Sequence, residues 1–348
     1  MKCVGCGVEL QYDAADEVGY SPKKEALYCQ RCFRLRHYDD PVYSKRFGID
    51  PRLVLQGIQN QEGVLVLVMD CFAIEESLEQ PFLQEFSGRE ILLVLTKRDI
   101  LPAEIEEEKI VKMVVKKIRS KKLPIQQVFF HSVKLNLGNE ELINYLYQYP
   151  LGTNFIFMGL ANAGKSSLLN QLLEMDTLTA SCYPGTTLSF SKLRKDGYTF
   201  IDTPGMEIRA SYVMEVSESD LKKVLPNKTL VARNYQLYSP QSYFIGALFR
   251  MDLTPTERAS ATFYFHDQLK IHRTKLEQAN DLYRRQKGKD LKPCLTKDLS
   301  EERNVEKGKD KVDIVLPGLG WICLSGHFQE IKLYLPKGIE VYTRKAIL

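Results

Sequence analysis

The chain has 348 residues, 44% hydrophobic and 26% charged, a balance that argues against disorder and, at about 100 to 200 residues per domain, for two or three domains. The net charge of +4 conceals an asymmetry, about +7 from Ser217 onward and about −3 before it, which directs an anionic partner to the C-terminal third. The longest apolar run, Gly63 to Met69, is too short to span a bilayer and MKCVGC is not the apolar start of a secretory signal, so a cytoplasmic protein with no membrane partner is expected.

Residues 1–45 lack apolar periodicity and need help to fold, which a metal can supply. Cys3-x2-Cys6 and Cys29-x2-Cys32 are two knuckles 22 residues apart, slightly beyond the usual spacing of about 15 to 20 for such sites. Four thiolates close a tetrahedral shell, so structural Zn²⁺ is expected, with no open position for catalysis. No thioredoxin-like strand and helix frames the pairs, which argues against a redox role. Arg31, Phe33, Arg34, Arg36 and Tyr38 beside them suit RNA phosphates and base stacking, with a plain solvated surface as the alternative. The scattered Cys71, Cys182, Cys294 and Cys323 are expected as small core residues of a protein in a reducing compartment.

From Val64 an α/β rhythm begins. VLVLVMD to Asp70 and ILLVL at 91–95 are continuous apolar runs of strands buried on both faces. A helix is predicted to open at Pro102, with Ile105, Ile110, Val111, Val114, Val115 and Ile118 on one face, an acidic start and a basic end. Further strands are predicted at Gln127 to His131, Asn154 to Met158 and Tyr198 to Ile201. The alternation implies a parallel sheet covered on both faces.

Between these elements lie five nucleotide motifs. TKRD, Thr96 to Asp99, follows a strand directly, and Asp99 there can accept two hydrogen bonds from the guanine edge that adenine does not offer, with Lys97 packed along the base. Ser132-Val133-Lys134 forms a second, weaker base-contacting candidate. GLANAGKSS, Gly159 to Ser167, satisfies G-x-x-x-x-G-K-[ST] between an apolar strand and a helical LLNQLLEM. The amides of Asn162, Ala163, Gly164, Lys165, Ser166 and Ser167 are candidates to cradle phosphates, Lys165 to reach the β- and γ-phosphates, and Ser166 to hold Mg²⁺. PGTT at 184–187 offers a hydroxyl for the same metal, Thr187 in preference to Thr186. In DTPG, Asp202 can reach Mg²⁺ and the Gly205 amide can sense the γ-phosphate. Together they point to GTP/GDP, with an ATP-using enzyme as the rival reading.

In an ordinary guanine-nucleotide domain the phosphate loop comes first and the base loop last; here the order is reversed. TKRD, SVK, GLANAGKSS, PGTT and DTPG in this order resemble the circularly permuted GTPases, and with the four-cysteine segment the chain resembles the YqeH group of bacterial ribosome-assembly GTPases. GCGVELQ and CQRCFRLRHY near the start, QSYFIGALFRMDL at 241–253, and DIVLPGLGWICLSG with LYLPKGIEVYTRKAIL at the end extend the likeness. The resemblance implies a P-loop α/β domain of permuted order over 46–216, preceded by a zinc-binding module at 1–45 and followed by a basic α+β domain at 217–348. It implies a GTP-hydrolysing switch that assists assembly of the small ribosomal subunit or its precursor and contacts ribosomal RNA. The alternative is a GTP-gated RNA-binding scaffold in which hydrolysis is dispensable.

Met206 stands where many GTPases place the glutamine that orients water, and methionine does not replace it. Asn162 gives the G-x-x-N-x-G-K-S form of relatives in which K⁺ stands in for an arginine finger, so the resemblance implies slow hydrolysis stimulated by K⁺, with Lys165, Thr187, Gly205 and Asn162 in the catalytic set. Thr96, in place of the usual Asn, is expected to loosen its loop. Trp321 is expected in the core, Arg284, Arg285, Lys287 and Lys289 on a basic surface, and a linker near Glu215 is expected to carry the switch outward.

Overall fold

The computed structural model describes residues 1, 3, 9–13, 19–30, 48–86, 88–174, 190–207, 210–295 and 297–348. They form two compact units, one of Met1–Asp70, Phe82–Thr96 and Lys122–Glu207, the other of Cys71–Pro81, Lys97–Lys121 and Ile208–Leu348. In chain order the described helices are α1 (Pro51–Gln59), α2 (Ile74–Leu78), α3 (Glu107–Ser120), α4 (Asn139–Leu146), α5 (Lys165–Leu173), α6 (Tyr212–Glu215), α7 (Glu218–Val224) and α8 (Ala279–Gln286). None is long and apolar enough to cross a membrane.

In the first unit, β1 (Val64–Asp70), β2 (Ile91–Thr96), β3 (Ile125–Phe130), β4 (Asn154–Met158), β5 (Ser191–Lys195) and β6 (Tyr198–Asp202) form one sheet ordered β3-β2-β1-β4-β6-β5. All neighbours are parallel except β5, which runs against β6. Strands β1 and β2 are buried along their whole length, which is why their residues are continuously apolar instead of alternating. Val64, Val66 and Val68 pack in one core with Phe155, Phe157 and Phe200 and with Leu142, Leu146, Leu168 and Leu172 of α4 and α5. At α1, Asp50 accepts a hydrogen bond from Arg52 N and Pro51 supplies the fixed φ of the first helical position.

The sheet order records the permutation. From β1 the chain steps outward to β2 and β3, then returns to β4 beside β1 and continues to the other edge. Such a reversal opens a crevice beyond the carboxyl ends of the two central strands, where open α/β sheets bind ligands. The loop that follows β4 starts at Gly159.

The second unit is dominated by strands, more so than the sequence pattern suggests: β7 (Arg233–Leu237), β8 (Gln241–Ile245), β9 (Phe249–Pro255), β10 (Ala259–Phe265), β11 (Ile271–Lys275), β12 (Leu299–Asn304), β13 (Val312–Leu316), β14 (Gly320–Ser325), β15 (Phe328–Pro336) and β16 (Tyr342–Lys345). They make two five-stranded antiparallel sheets, β16-β13-β14-β10-β7 and β11-β8-β9-β15-β12. Rings of Tyr235, Tyr243 and Phe263 meet between the sheets with centroids 5.2 to 5.4 Å apart. Trp321 is buried, as expected, stacked on Tyr264 at 4.6 Å.

Helix α3 begins at Glu107 and not at the predicted Pro102. The Arg98 guanidinium donates to the carbonyls of Leu101, Pro102 and Ile105, so these oxygens are engaged outside a helical ladder. Residues 215–219 are not a free linker: Val216 is buried and bridged to Leu295, and Glu215 pairs with Lys297 at 2.6 Å. Cys71 and Cys323 are buried and Cys294 half-buried, whereas Cys182 lies outside the described residues.

Candidate functional site

The phosphate loop turns out of β4 at Gly159, where a Cβ would lie 2.2 Å from Val68 O, so only glycine lets the loop run this close to β1. Asn162 follows, exposed and with φ 63°, a left-handed conformation that Asn tolerates better than most residues. Lys165 opens α5 with its side chain buried, and its ammonium donates to Gly159 O and Leu160 O at 3.1 Å each. The cation is thereby held over the start of its own loop.

At the end of β6, Ser166 Oγ donates to Asp202 Oδ2 at 3.2 Å, while Asp202 Oδ1 is shut off from solvent with no hydrogen-bond partner among the described residues. Burial pushes the Asp202 carboxyl above the ordinary range; Lys165 and the Ser166 hydroxyl oppose it. A buried carboxylate with an unengaged oxygen beside a hydroxyl is the donor set of a hard divalent cation, so Ser166 and Asp202 fit Mg²⁺. Thr187, predicted as a further ligand, lies outside the described residues.

The DTPG segment is bonded to the phosphate loop through its backbone. Met206 N donates to Gly159 O at 3.1 Å and Ala161 N to Met206 O at 2.8 Å. On the other side Ile49 N donates to Gly205 O and Glu207 N to Ile49 O, both at 2.9 Å. Gly205 allows this approach, since a Cβ there would lie 2.8 Å from Ala161 Cα. The Met206 side chain is fully buried, a packing role that leaves the orientation of water to other groups. Ile49 carries no motif signal; only its pairing with Met206 exposes its part.

Thr96 corrects an expectation. Its buried hydroxyl lies 2.6 Å from Ala163 O and 3.2 Å from Met69 O, so it donates to the phosphate loop at the shorter distance and ties the end of β2 to it. The Thr in place of Asn therefore fastens the loop; it does not loosen it. Thr96→Val removes the hydroxyl donor and leaves Ala163 O facing a methyl group, at a cost of about 1–2 kcal/mol. The expected result is a roughly 5- to 20-fold loss of guanine-nucleotide affinity in a fluorescent-nucleotide titration; unchanged affinity contradicts the tie.

The second candidate loop, Ser132 to Lys134, belongs to a closed turn. Ser132 and Leu137 exchange backbone hydrogen bonds at 3.1 and 3.0 Å, Leu135 N donates to Ser132 Oγ at 3.2 Å, and Gln171 of α5 reaches Asn136 at 2.7 Å. Ser132 is buried and shapes the turn, while Val133 and Lys134 are exposed on it. Lys97 and Asp99 lie in the second unit. Lys97 has φ 56°, and Arg98–Ile100 make a 3₁₀ turn closed by Ile100 N to Lys97 O at 3.0 Å. Ala163, Gly164 and Ser167 occupy the loop and the first turn of α5.

Of the four predicted zinc ligands, Cys3 and Cys29 are described: both are buried, and Cys29 N donates to Cys3 Sγ at 3.1 Å. Cys6 and Cys32 lie outside the described residues, as do Arg31, Phe33, Arg34, Arg36 and Tyr38. Among the described residues no group of three or more His, Cys, Asp or Glu is placed to hold a metal.

A P-loop on a parallel α/β sheet, reached after β1 to β3 and backed by a DTPG ladder, defines a GTPase whose motifs run in permuted order. A family profile described as "50S ribosome-binding GTPase" matches residues 154–238, and one described as "YqeH-like, C-terminal" matches residues 258–347. The chain is 32% identical to the YqeH protein of Bacillus subtilis (strain 168), over 99% of each. It is 25% identical to a protein of Oryza sativa subsp. japonica named "putative nitric oxide synthase", over 98% of this chain and 76% of that one. The crystal structure of YjeQ from Thermotoga maritima matches over 42% of this chain and 48% of that one, at 25% identity and a TM-score of 0.26. The chain belongs to the YqeH family of circularly permuted GTPases.

Proposed function

We propose that this GTPase is a nucleotide-controlled switch that engages the small ribosomal subunit, or its precursor, in the cytoplasm and releases it on hydrolysis. The observation that carries the reading is the Met206 ladder. The segment that would sense the γ-phosphate is bonded to the phosphate loop, and the chain that follows it belongs to the strand-rich second unit, whose residues from Ser217 onward hold an excess of positive charge. A change at Gly205 is one residue from a backbone shared with Leu160, so nucleotide state passes into the chain that follows.

Asp99 would read the guanine edge, Lys97 would pack on the base and Ser132 to Lys134 would shape the second base loop. Lys165 and the amides of residues 162–167 would bind phosphate, and Gly205 would donate to the γ-phosphate. Ser166, Asp202 and Thr187 would hold Mg²⁺, which when bound neutralises charge on the transferring phosphoryl oxygens. Cys3, Cys6, Cys29 and Cys32 would hold Zn²⁺ in a module of residues 1–45, ahead of a GTPase domain at 46–216 and a basic RNA-contacting domain at 217–348. Sedimentation with purified ribosomal subunits tests the partner. Retention on the small subunit with a non-hydrolysable GTP analogue and release with GDP is expected; the same behaviour on the large subunit, which the matched profile's description names, contradicts the choice.

With Met206 buried, hydrolysis depends on other groups, and exposed Asn162 in its left-handed turn suits a K⁺ ion that would compensate the developing charge. Turnover in K⁺ is expected to exceed that in Na⁺ by about tenfold or more, since one fixed counter-charge is worth roughly 10²–10³ at most; equal rates remove this role. The same burial favours a second reading, a GTP-gated RNA-binding scaffold. If Lys165→Ala abolishes assembly function while Asn162→Ala slows hydrolysis without affecting assembly, binding and not turnover is the function.

A further inference from the structure

We infer that Thr229, which lies outside every nucleotide motif and more than 100 residues along the chain from the base-reading turn, is a positioning residue for guanine recognition, acting through the backbone of Asp99. The inference rests on the reading of Asp99 as the base-contacting carboxylate.

Thr229 Oγ1 donates to Asp99 O at 2.8 Å, and the next residue's amide, Leu230 N, donates to Ile100 O at 2.9 Å. Two consecutive donors thus engage two consecutive carbonyls of the 3₁₀ turn, all within the second unit. The Leu230 side chain is buried and anchors the donor segment, while Thr229 itself is exposed. From the other side Arg98 fixes the chain that leaves the turn, donating to Ile105 O at 2.8 Å and to Glu107 Oε1 at 3.0 Å. Lys97 holds a left-handed φ of 56° that a non-glycine residue keeps only when its surroundings over-determine it.

The geometry gives the clamp its consequence. A carboxylate that accepts from both the ring N–H and the exocyclic amine of guanine must be aimed to within about 0.5 Å, and a small displacement costs the second hydrogen bond first. The peptide carbonyl that Thr229 holds belongs to Asp99 itself, so loss of the clamp lets the carboxylate turn while the phosphate-binding loop is untouched. Recognition of the base is therefore set partly by residues of the C-terminal segment.

The test is the ratio of the Kd for inosine diphosphate to that for GDP, measured on the full chain, because hypoxanthine lacks the exocyclic amine and keeps the phosphates. Thr229→Val is expected to lower this ratio about 3- to 10-fold, the size of one hydrogen bond, through weaker GDP binding with inosine diphosphate binding unchanged; Thr229→Ser restores it. An unchanged ratio, or equal weakening of both nucleotides as a merely structural defect would give, overturns the inference. Asp99→Asn separates the two levels. If it collapses the ratio while Thr229→Val does not, the clamp fails and the base reading stands; if Asp99→Asn leaves the ratio intact, both fall.

Discussion

Lys165→Ala lowers guanine-nucleotide affinity by about 10²- to 10⁴-fold and abolishes measurable hydrolysis. The magnitude follows from charge-assisted hydrogen bonds to phosphate oxygens at about 1.5–3 kcal/mol each, two of which are lost. The resting contacts add to it, because Lys165 Nζ bonds Gly159 O and Leu160 O, the two carbonyls that begin the loop. Without that cation the buried Asp202 also loses a charge that opposes its desolvation. A fluorescent-nucleotide titration reads the effect; a loss below tenfold, with the fold intact by circular dichroism, contradicts the placement of Lys165 at the phosphates. The comparison variant is Lys195→Ala, whose ammonium lies on the edge strand β5 and pairs with exposed Glu174 at 3.6 Å; it is expected to bind nucleotide normally.

Arg344→Met destabilises the second unit by about 3–5 kcal/mol, the cost of leaving buried charges without their partner. Arg344 is almost fully enclosed and bonds Glu75 at 2.8 Å and Asp313 at 3.1 Å, with its guanidinium over the Trp321 ring at 5.5 Å. Both carboxylates are buried as well. Removal of the cation thus leaves two acids in a dry site. The Asp313 carboxyl is already pushed up by burial and held down by Arg344. The triple variant Arg344→Met, Glu75→Gln, Asp313→Asn is expected to recover most of the loss, since a neutral cluster carries no such penalty. Urea denaturation followed by tryptophan fluorescence reads both, as Trp321 is the single tryptophan. A loss under 1 kcal/mol in the single variant contradicts the account.

This network reaches beyond stability. Glu75 lies in α2, between the nucleotide-fold strands β1 and β2, yet its partners lie on β16 and β13. Lys117 of α3 is likewise set over the Tyr342 ring at 5.9 Å. Segments that a sequence reader assigns to the GTPase thus form part of the second unit's core. The turn bearing Asp99 shares this fate through Thr229 and Leu230.

The strands that could be read from the sequence are those whose burial leaves no alternation to interpret. Runs such as Val64 to Met69 and Asn154 to Met158 coincide with β1 and β4 because both faces are covered. Strand β5, SKLRK, was illegible because it is an exposed edge strand whose Lys and Arg side chains face solvent. Of the expected basic surface, Arg284 and Arg285 lie in the last turn of helix α8, where they face Asp281 at 3.5 and 3.9 Å, and Lys287 just beyond it pairs with Asp298. At the site, Gly159, Lys165, Ser166, Asp202 and Gly205 were legible because phosphate chemistry restricts residue type at fixed spacing. Ile49, Arg98 and Thr229 were not: Ile49 acts through backbone hydrogen bonds that almost any sequence could make, and the Arg98 and Thr229 side chains bond main-chain carbonyls that no sequence motif marks. Thr96 was visible as a departure from the usual Asn, but its sign depended on Ala163 O lying within reach.

The claim most exposed to refutation is that TKRD and GLANAGKSS, in inverted order along the chain, serve one guanine nucleotide. Competition of GTP, ATP and xanthosine triphosphate against a fluorescent guanine nucleotide, on the native chain and on Asp99→Asn, tests it directly. Xanthine carries an oxygen where guanine carries its amine, so an Asn amide donates where Asp accepted. The native chain is predicted to prefer GTP over both competitors by at least about 10²-fold, as buried polar groups left unpaired by the wrong base dictate, and Asp99→Asn to transfer that preference to the xanthine nucleotide. A native chain that favours ATP, or an Asp99→Asn variant with unaltered selectivity, would contradict the account.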